Sequence, residues 1–183
     1  MPKIVTTCPA FACRAAVMGA VLALSALFGT VAAAQALPSE KVLPLALASE
    51  AAAEAVAECG RQGYRVSAAV VDRAGLVKAL MRGDGAAPHT LDSSSRKAYT
   101  SASLRRSTSE LVALIQRNPD AAGLREMNEK ILILGGGLPI KAGDEVIGGI
   151  GVGGAPGGDL DEACARAGIG SIKDRLVYEQ LNP

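Results

Sequence analysis

The sequence predicts an α+β fold, a single compact domain with helices packed on an antiparallel sheet that is built from two hairpins. Two observations favour this class. The predicted elements follow in the order α-β-β-α-α-β-β-α, and a short turn joins each pair of consecutive strands. Consecutive strands joined in this way pair antiparallel, so no β-α-β crossover is required.

The N-terminus is predicted to be a secretory signal peptide, residues 1–36. Basic residues precede an apolar run over 15–31, and small residues follow it at the spacing that a signal peptidase accepts. Cleavage is expected after Ala34 or Ala36. A transmembrane anchor is the alternative, but the run is short for a span and no basic flank follows it. The domain at 37–183 is therefore expected to be periplasmic or secreted, without a stable membrane anchor.

The composition of the domain after cleavage excludes some partners. The signal segment removes two of the 19 Lys and Arg residues and leaves 17, against 18 Asp and Glu. A near-neutral domain without a basic stripe argues against nucleic acid or an anionic membrane as a partner. Both phenylalanines also leave with the signal and the chain has no tryptophan, so the core must be largely aliphatic. About 150 residues are enough for one domain.

A helix and a hairpin are predicted directly after the signal segment. Apolar residues recur at helical spacing from Ser39 to Gly63, where glycines end the helix. The stretches 64–72 and 76–82 are rich in apolar and β-branched residues. The three-residue turn between them ends in Gly75, which is typical of an antiparallel hairpin.

Two helices are predicted next, after a loop of small residues at 83–90. A mostly polar helix is expected from Leu91 to about Leu104. Ser107 and Glu110 then have the spacing of a capping box, which predicts the start of a second helix.

The C-terminal part of the chain is predicted to form a hairpin and a helix, after a segment at 120–130 without a clear pattern. Apolar runs on both sides of Gly143 predict the hairpin. The helix is expected from Asp159 to about Tyr178, with Asp159 and Glu162 as its capping box.

The second hairpin ends in a glycine-rich run, Gly149 to Gly154, which formally matches the dinucleotide motif G-x-G-x-x-G. A Rossmann fingerprint requires a parallel β-α-β unit, whereas the strand here belongs to a hairpin. The carboxylates between Asp159 and Glu162 would also repel a phosphate at the following helix. The bare strand is therefore interpreted as a surface for close packing by a helix or a subunit, or for a flat ligand.

Two cysteines, Cys59 and Cys164, remain after cleavage of the signal segment. Export places them where disulfides persist, so a bridge and two separate buried thiols both stay open. With one histidine and two distant cysteines, a structural zinc site is not expected.

Four side chains are candidate binding residues: His89, Arg82, Arg96 and Lys97. His89 is the only histidine of the chain and lies in the predicted loop, where it is suited to act as a ligand or as an acid or base. The three cations flank this loop and are suited to hold carboxylates. The alternative is an exposed loop histidine beside a solvated polar helix face. No catalytic residue is assigned, because neither G-x-S-x-G nor a Cys-His signature is present.

Three stretches resemble one known family: "AAVVDRAGLVKALMRGDGA", "SRKAYTSAS" and "GGGLPIKAGDEVIGGIGVGGAPGGDLDEACARAG". They are similar to the GlcG/HbpS-type haem-binding proteins, which include the C-terminal domain of PduO-type proteins. The likeness covers Leu45 to Leu176. It implies a compact α+β domain that assembles into dimers or larger oligomers, often octamers, and several members are secreted.

The resemblance implies haem as the cofactor, with His89 as the iron ligand and Arg82, Arg96 and Lys97 as partners of the propionates. Ligation by two histidines of one chain is excluded, so a second ligand would be Met, Tyr, Cys, water or a group of a neighbouring subunit. The expected role is capture, buffering or sensing of haem rather than catalysis. The alternatives are an enzyme or binding protein for an organic acid, and an oligomeric accessory protein without a ligand.

Overall fold

The structure is a computed structural model that describes residues 37 and 39–176. The predicted signal peptide, both predicted cleavage positions and the predicted helix end at Tyr178 lie outside these residues. The unit that contains the sheet begins at Glu40.

Five predicted helices and strands precede a short 3₁₀ segment, and three more follow it. Their bounds are α1 Leu45–Arg61, β1 Ser67–Asp72, β2 Val77–Arg82, α2 His89–Leu104, α3 Thr108–Arg117, a 3₁₀ segment at Pro119–Arg125, β3 Gly137–Ala142, β4 Glu145–Gly153, α4 Gly158–Ile172 and a 3₁₀ turn at Lys173–Arg175. The predicted order of elements is thus confirmed. The helix α2 begins two residues earlier than predicted, so His89 is its first residue rather than a loop residue.

The four strands form one antiparallel sheet in the order β2-β1-β4-β3. Each predicted hairpin is present, and the two hairpins meet where β1 pairs with β4, from Ser67 opposite Gly153 to Asp72 opposite Gly148. The strand β2 is therefore an edge strand. This arrangement confirms the predicted fold class.

Helices cover both faces of the sheet. On one face α1 and α4 bury a continuous aliphatic core against the strands, which contribute Ala68, Val70, Leu138, Ile140, Ile150 and Val152. On the other face α2 packs Ala98 and Ala102 against Ala69 and Val71 of β1. The two faces alternate along β1 because successive strand side chains point in opposite directions.

The glycines of β4 allow α2 to lie directly on the sheet. A methyl group on Gly151 would lie 2.2 Å from Ser94 O and 2.4 Å from Ala98 N, and one on Gly149 would lie 2.5 Å from Ala98 O. These are backbone atoms of α2, so a side chain would force the helix off the strand. Packing by a helix of the same chain explains the bare strip, and a subunit or a flat ligand is not required on this face.

A disulfide joins the two helices of the aliphatic face. Cys59 of α1 and Cys164 of α4 are bonded, with their Cα atoms 5.6 Å apart and both side chains fully buried. This separation lies within the range that a disulfide spans without moving the backbone. The structure therefore decides between the two alternatives that the sequence left open.

The capping box predicted for α3 is confirmed. Glu110 N donates to Ser107 Oγ at 3.1 Å, and Ser107 N donates to Glu110 Oε2 at 3.3 Å.

The capping box predicted for the last helix is wrong. The helix α4 begins at Gly158, with Gly157 at the N-cap position and no side-chain cap. The carboxylate that holds the preceding loop is that of Asp161, whose Oδ1 accepts a hydrogen bond from Ala155 N at 3.0 Å. The Asp161 side chain points into the interior, where it also binds the buried Lys97 ammonium. A buried side chain, rather than an exposed capping residue, therefore holds the loop before α4.

Candidate functional site

An apolar strip lies uncovered on the edge strand β2. Val77 pairs with Val71 and Leu80 pairs with Ala69, and both partners belong to the cluster that α2 covers. Paired residues of neighbouring strands point to the same face, so Val77 and Leu80 face the side of α2. They remain 52% and 43% exposed, and Leu76 in the preceding turn is 60% exposed.

The helix α2 presents a polar stripe beside this strip. His89, Asp92, Arg96 and Tyr99 follow one another at steps of three or four residues, which places them on one side of the helix. The chain turns back after β2, so Arg82 lies at the same end as His89, whereas Arg96 and Tyr99 face the beginning of β2. The α2–β2 groove is defined here by Leu76, Val77, Leu80 and Arg82 on one side and His89, Asp92, Arg96 and Tyr99 on the other.

The loop before His89 is held in place by hydrogen bonds. Arg82 Nε donates to Ala86 O at 2.8 Å, and Thr90 Oγ1 donates to Ala87 O at 2.6 Å. Thr90 Oγ1 also lies 2.7 Å from Ser67 Oγ, in a buried contact with the end of β1. His89 is exposed between these anchors. The imidazole is thus presented to solvent from a fixed backbone position.

Arg96 is partly exposed and is oriented by two contacts. Its Nη2 donates to Ile131 O at 2.8 Å, and its Nη1 lies 3.7 Å from Asp92 Oδ2. Within the described residues its Nε is buried without a hydrogen-bond partner. About 10 Å of helix axis separate Arg96 from His89, at 1.5 Å per residue.

Lys97 does not belong to the groove. Its ammonium group is buried on the sheet side of α2, where Nζ donates to Asp161 Oδ2 at 2.8 Å and to Val152 O at 2.9 Å. The side chains of Lys97 and Asp161 are only 2% and 4% exposed. The expectation that Lys97 binds a propionate must therefore be corrected, because a carboxylate of the protein already occupies this cation.

Burial is the main influence on the Asp161 carboxyl. It raises the pKa of Asp161, and the Lys97 ammonium together with the backbone N–H groups of Ala155 and Gly154 oppose this rise. Because burial has the largest effect, the ion pair lies in a poorly solvated environment. Removal of one partner there lowers the stability of the fold strongly.

Tyr99 and Lys130 also belong to the site, although neither is among the binding residues that the sequence predicts. A pocket of about 320 Å³ at the far end of the groove is lined by Gly75, Leu76, Val77, Asp92, Ser95, Arg96, Tyr99 and Lys130. The Lys130 Nζ lies 5.5 Å from the centre of the Tyr99 ring. The helical spacing of Tyr99 to Arg96 was visible in the sequence, whereas Lys130 belongs to a segment without any pattern.

Two kinds of feature are absent from the part of the chain that the structure describes. No helix in it is long and apolar enough to cross a membrane. Within the same residues, no group of three or more His, Cys, Asp or Glu side chains is arranged to hold a metal ion.

Comparison with known proteins identifies relatives of this chain. A structure of a double mutant of Streptomyces reticuli HbpS is 41% identical and superposes with a TM-score of 0.70, covering 79% of this chain and 97% of that one. The haem complex of PduOC superposes with a TM-score of 0.67 and covers 72% of this chain and 96% of that one. At 23% identity, that likeness shows the fold alone.

A relative found by sequence and a matching family model give further similarities. A 15.0 kDa protein from the dhaT-dhaS intergenic region of Citrobacter freundii is 40% identical over 86 residues, which are 46% of this chain and 61% of that protein. The chain thus spans less than two thirds of this relative. The family described as haem-degrading protein HbpS-like matches residues 43–170. This match extends over more than half of the sequence, and the chain belongs to the HbpS-like family.

Proposed function

We propose that the protein is an exported haem-binding protein in which His89 ligates the haem iron at the α2–β2 groove. The observation that carries the proposal is the position of the only histidine, exposed at one end of a groove with an uncovered apolar side. The description of the family, haem-degrading protein HbpS-like, supports haem as the ligand. The signal-like N-terminus supports export to the periplasm or the medium.

The residues of the groove fit the chemistry of haem. Histidine is a common axial ligand of haem iron. Val77 and Leu80 offer aliphatic surface to a macrocycle, and aliphatic walls with a few polar groups are typical of cofactor sites. Haem bound there would supply a redox-active iron, whereas the protein would contribute the ligand, the apolar surface and the orientation.

Two arginines of the groove are suited to the propionates. Arg82 is exposed and uses Nε for the loop, which leaves its Nη nitrogens for a carboxylate. Arg96 provides a second guanidinium farther along the helix. Lys97 is not part of the proposal, because it is paired with Asp161.

A second ligand to the iron would come from water or from a neighbouring subunit of a homo-oligomer. Cys59 and Cys164 are joined in a disulfide, so neither supplies a thiolate. Met81 packs against the aliphatic core on the opposite face of the sheet from α2. The proposed role is capture, buffering or sensing of haem, and no side chain is assigned a role in turnover.

Haemin titration of the mature protein tests the proposal. We expect a Soret band that saturates for the wild type, and a changed band with at least about tenfold weaker binding for His89→Ala, because the iron loses its protein ligand. Arg117→Met serves as a control, since this exposed residue at the end of α3 lies outside the groove. Equal spectra and affinities for wild type and His89→Ala would contradict His89 as the ligand. Absence of binding to the wild type would contradict haem as the cofactor.

A further inference from the structure

The pocket at the far end of the groove combines an apolar side with two cations. Leu76 and Val77 are largely exposed on one side, and Tyr99 adds an aromatic ring. Arg96 and Lys130 bring two positive charges from separate segments of the chain, and Asp92 is the one carboxylate among the lining residues. The lining therefore carries a net charge of about one positive unit beside an apolar surface, the combination that favours an organic anion.

A closely packed turn forms the floor of this pocket. Gly75 adopts a positive φ of 77° in the turn, and the Tyr99 ring lies against it so closely that a methyl group there would be 2.5 Å from the ring. The ring thus occupies the space that a side chain at position 75 would need, so only glycine is compatible with this contact. Tyr99 makes this contact without using its hydroxyl group in any hydrogen bond to the described residues.

Arg96 and the backbone beside Lys130 are also held before any ligand arrives. The segment that carries Lys130 is tied to α2 at two points: Leu132 N donates to Thr100 Oγ1 at 2.8 Å, and Ile131 O accepts from Arg96 Nη2 at 2.8 Å. The Lys130 ammonium is further attracted to the Tyr99 ring. Groups that are ordered in advance lose little entropy when a ligand binds.

The carboxylate already present does not neutralise the pocket. Asp92 is 72% exposed, and its Oδ2 lies 3.7 Å from Arg96 Nη1, beyond hydrogen-bond distance. An ion pair this exposed contributes little, so an incoming carboxylate competes with it easily.

We infer that this pocket binds a small organic carboxylate with an apolar body. The carboxylate pairs with Arg96 and Lys130, and the apolar body lies against Leu76, Val77 and the Tyr99 ring. A volume of about 320 Å³ suits a molecule of the size of a short-chain or single-ring acid. The pocket shares Arg96 and Val77 with the proposed haem site, but the inference goes beyond the proposed function because the interaction requires neither His89 nor iron.

Benzoate, with no haem present, is the probe. We expect saturable chemical-shift changes at the backbone amides of Gly75, Leu76 and Val77 in NMR titrations. The uncharged analogue benzamide should bind at least about tenfold more weakly, because it lacks the charge that the two cations recognise. Added salt should weaken the binding of benzoate more than that of benzamide.

Two variants test whether Arg96 and Lys130 bind the carboxylate of benzoate. Arg96→Met should weaken benzoate about tenfold, but it also removes the bond to Ile131 O. Lys130→Met removes a charge that makes no hydrogen bond through Nζ to the described residues, and it should weaken benzoate about threefold with an unchanged melting temperature. Arg117→Met removes the same charge outside the pocket and should leave the affinity unchanged.

Three results would overturn the inference. They are the absence of saturable binding at millimolar benzoate, equal affinities for benzoate and benzamide, and equal effects of Lys130→Met and Arg117→Met. None of these results bears on haemin binding by His89, which is measured separately.

Discussion

Replacement of Lys97 by methionine tests the buried ion pair between α2 and α4. Lys97→Met keeps an unbranched side chain but removes the ammonium, which donates to Asp161 Oδ2 at 2.8 Å and to Val152 O at 2.9 Å. Asp161 then remains in the interior without its cation, held by the N–H of Ala155. Breaking a buried pair in this way costs about 3–5 kcal/mol, a large part of a free energy of unfolding of about 5–15 kcal/mol.

The cost should depend on pH. Burial already raises the pKa of Asp161, and loss of Lys97 removes the largest opposing influence, so the pKa of the carboxyl rises further in the variant. A carboxyl whose pKa is higher in the folded protein stabilises the fold below its unfolded pKa of 3.8. That contribution is lost as the pH rises through the folded pKa. The difference between wild type and variant should therefore grow between their two folded pKa values, by up to about 1.4 kcal/mol per pH unit.

Urea denaturation followed by far-UV circular dichroism measures both effects. We expect a small loss of stability for Lys97→Met at about pH 4 and the full loss at about pH 8. The double variant Lys97→Met with Asp161→Asn buries no charge and keeps an acceptor for Ala155 N, so it should recover most of the stability at the higher pH.

Two outcomes would refute this reasoning. Equal losses at both pH values would show that the loss comes from the missing hydrogen bond to Val152 O or from changed packing, and not from an ionised Asp161 carboxylate without its cation. A double variant as unstable as Lys97→Met at about pH 8 would exclude the uncompensated carboxylate as the cause.

The remaining predictions concern the packing of the helices. Gly151→Ala should lower the free energy of unfolding by about 1–3 kcal/mol or more, because its methyl group would meet the backbone of α2 at 2.2 Å. Gly60→Ala is the matched control in α1, where the methyl group meets nothing within 4 Å; it should be neutral or stabilise by up to about 1 kcal/mol. Thermal and urea unfolding compare the two, and an equal response would contradict the close contact of α2 and β4. Cys59→Ser with Cys164→Ser should cost about 2–5 kcal/mol, and reduction of the wild type should reproduce that loss in the same assay; an unchanged midpoint would contradict the disulfide.

The sequence by itself determined the elements and their order. Helical and strand periodicities depend on residues close to one another along the chain, and so do the turn at Gly75 and the capping box at Ser107. Short turns between strands leave antiparallel pairing as the simple solution, so the fold class followed from local patterns. The stretches that resemble the HbpS-type family are likewise visible in the sequence alone.

The sequence revealed only part of the candidate site, because membership depends on where a side chain points and not only on its residue type. Arg96 and Lys97 are adjacent cations, and a step of about 100° around the helix separates them. Packing of α2 on the glycines of β4 turns Lys97 towards Asp161 and leaves Arg96 in the groove. No local pattern distinguishes the two side chains.

Only the tertiary structure decided which distant residues meet. It joined Cys59 to Cys164, 105 positions apart, and it brought Lys130 to the ring of Tyr99 from a segment without periodicity. It also turned Asp161, rather than Asp159, into the interior. Each of these contacts depends on how helices lie on a sheet, and that arrangement is set by the sum of many packing contacts across the chain rather than by neighbours in sequence.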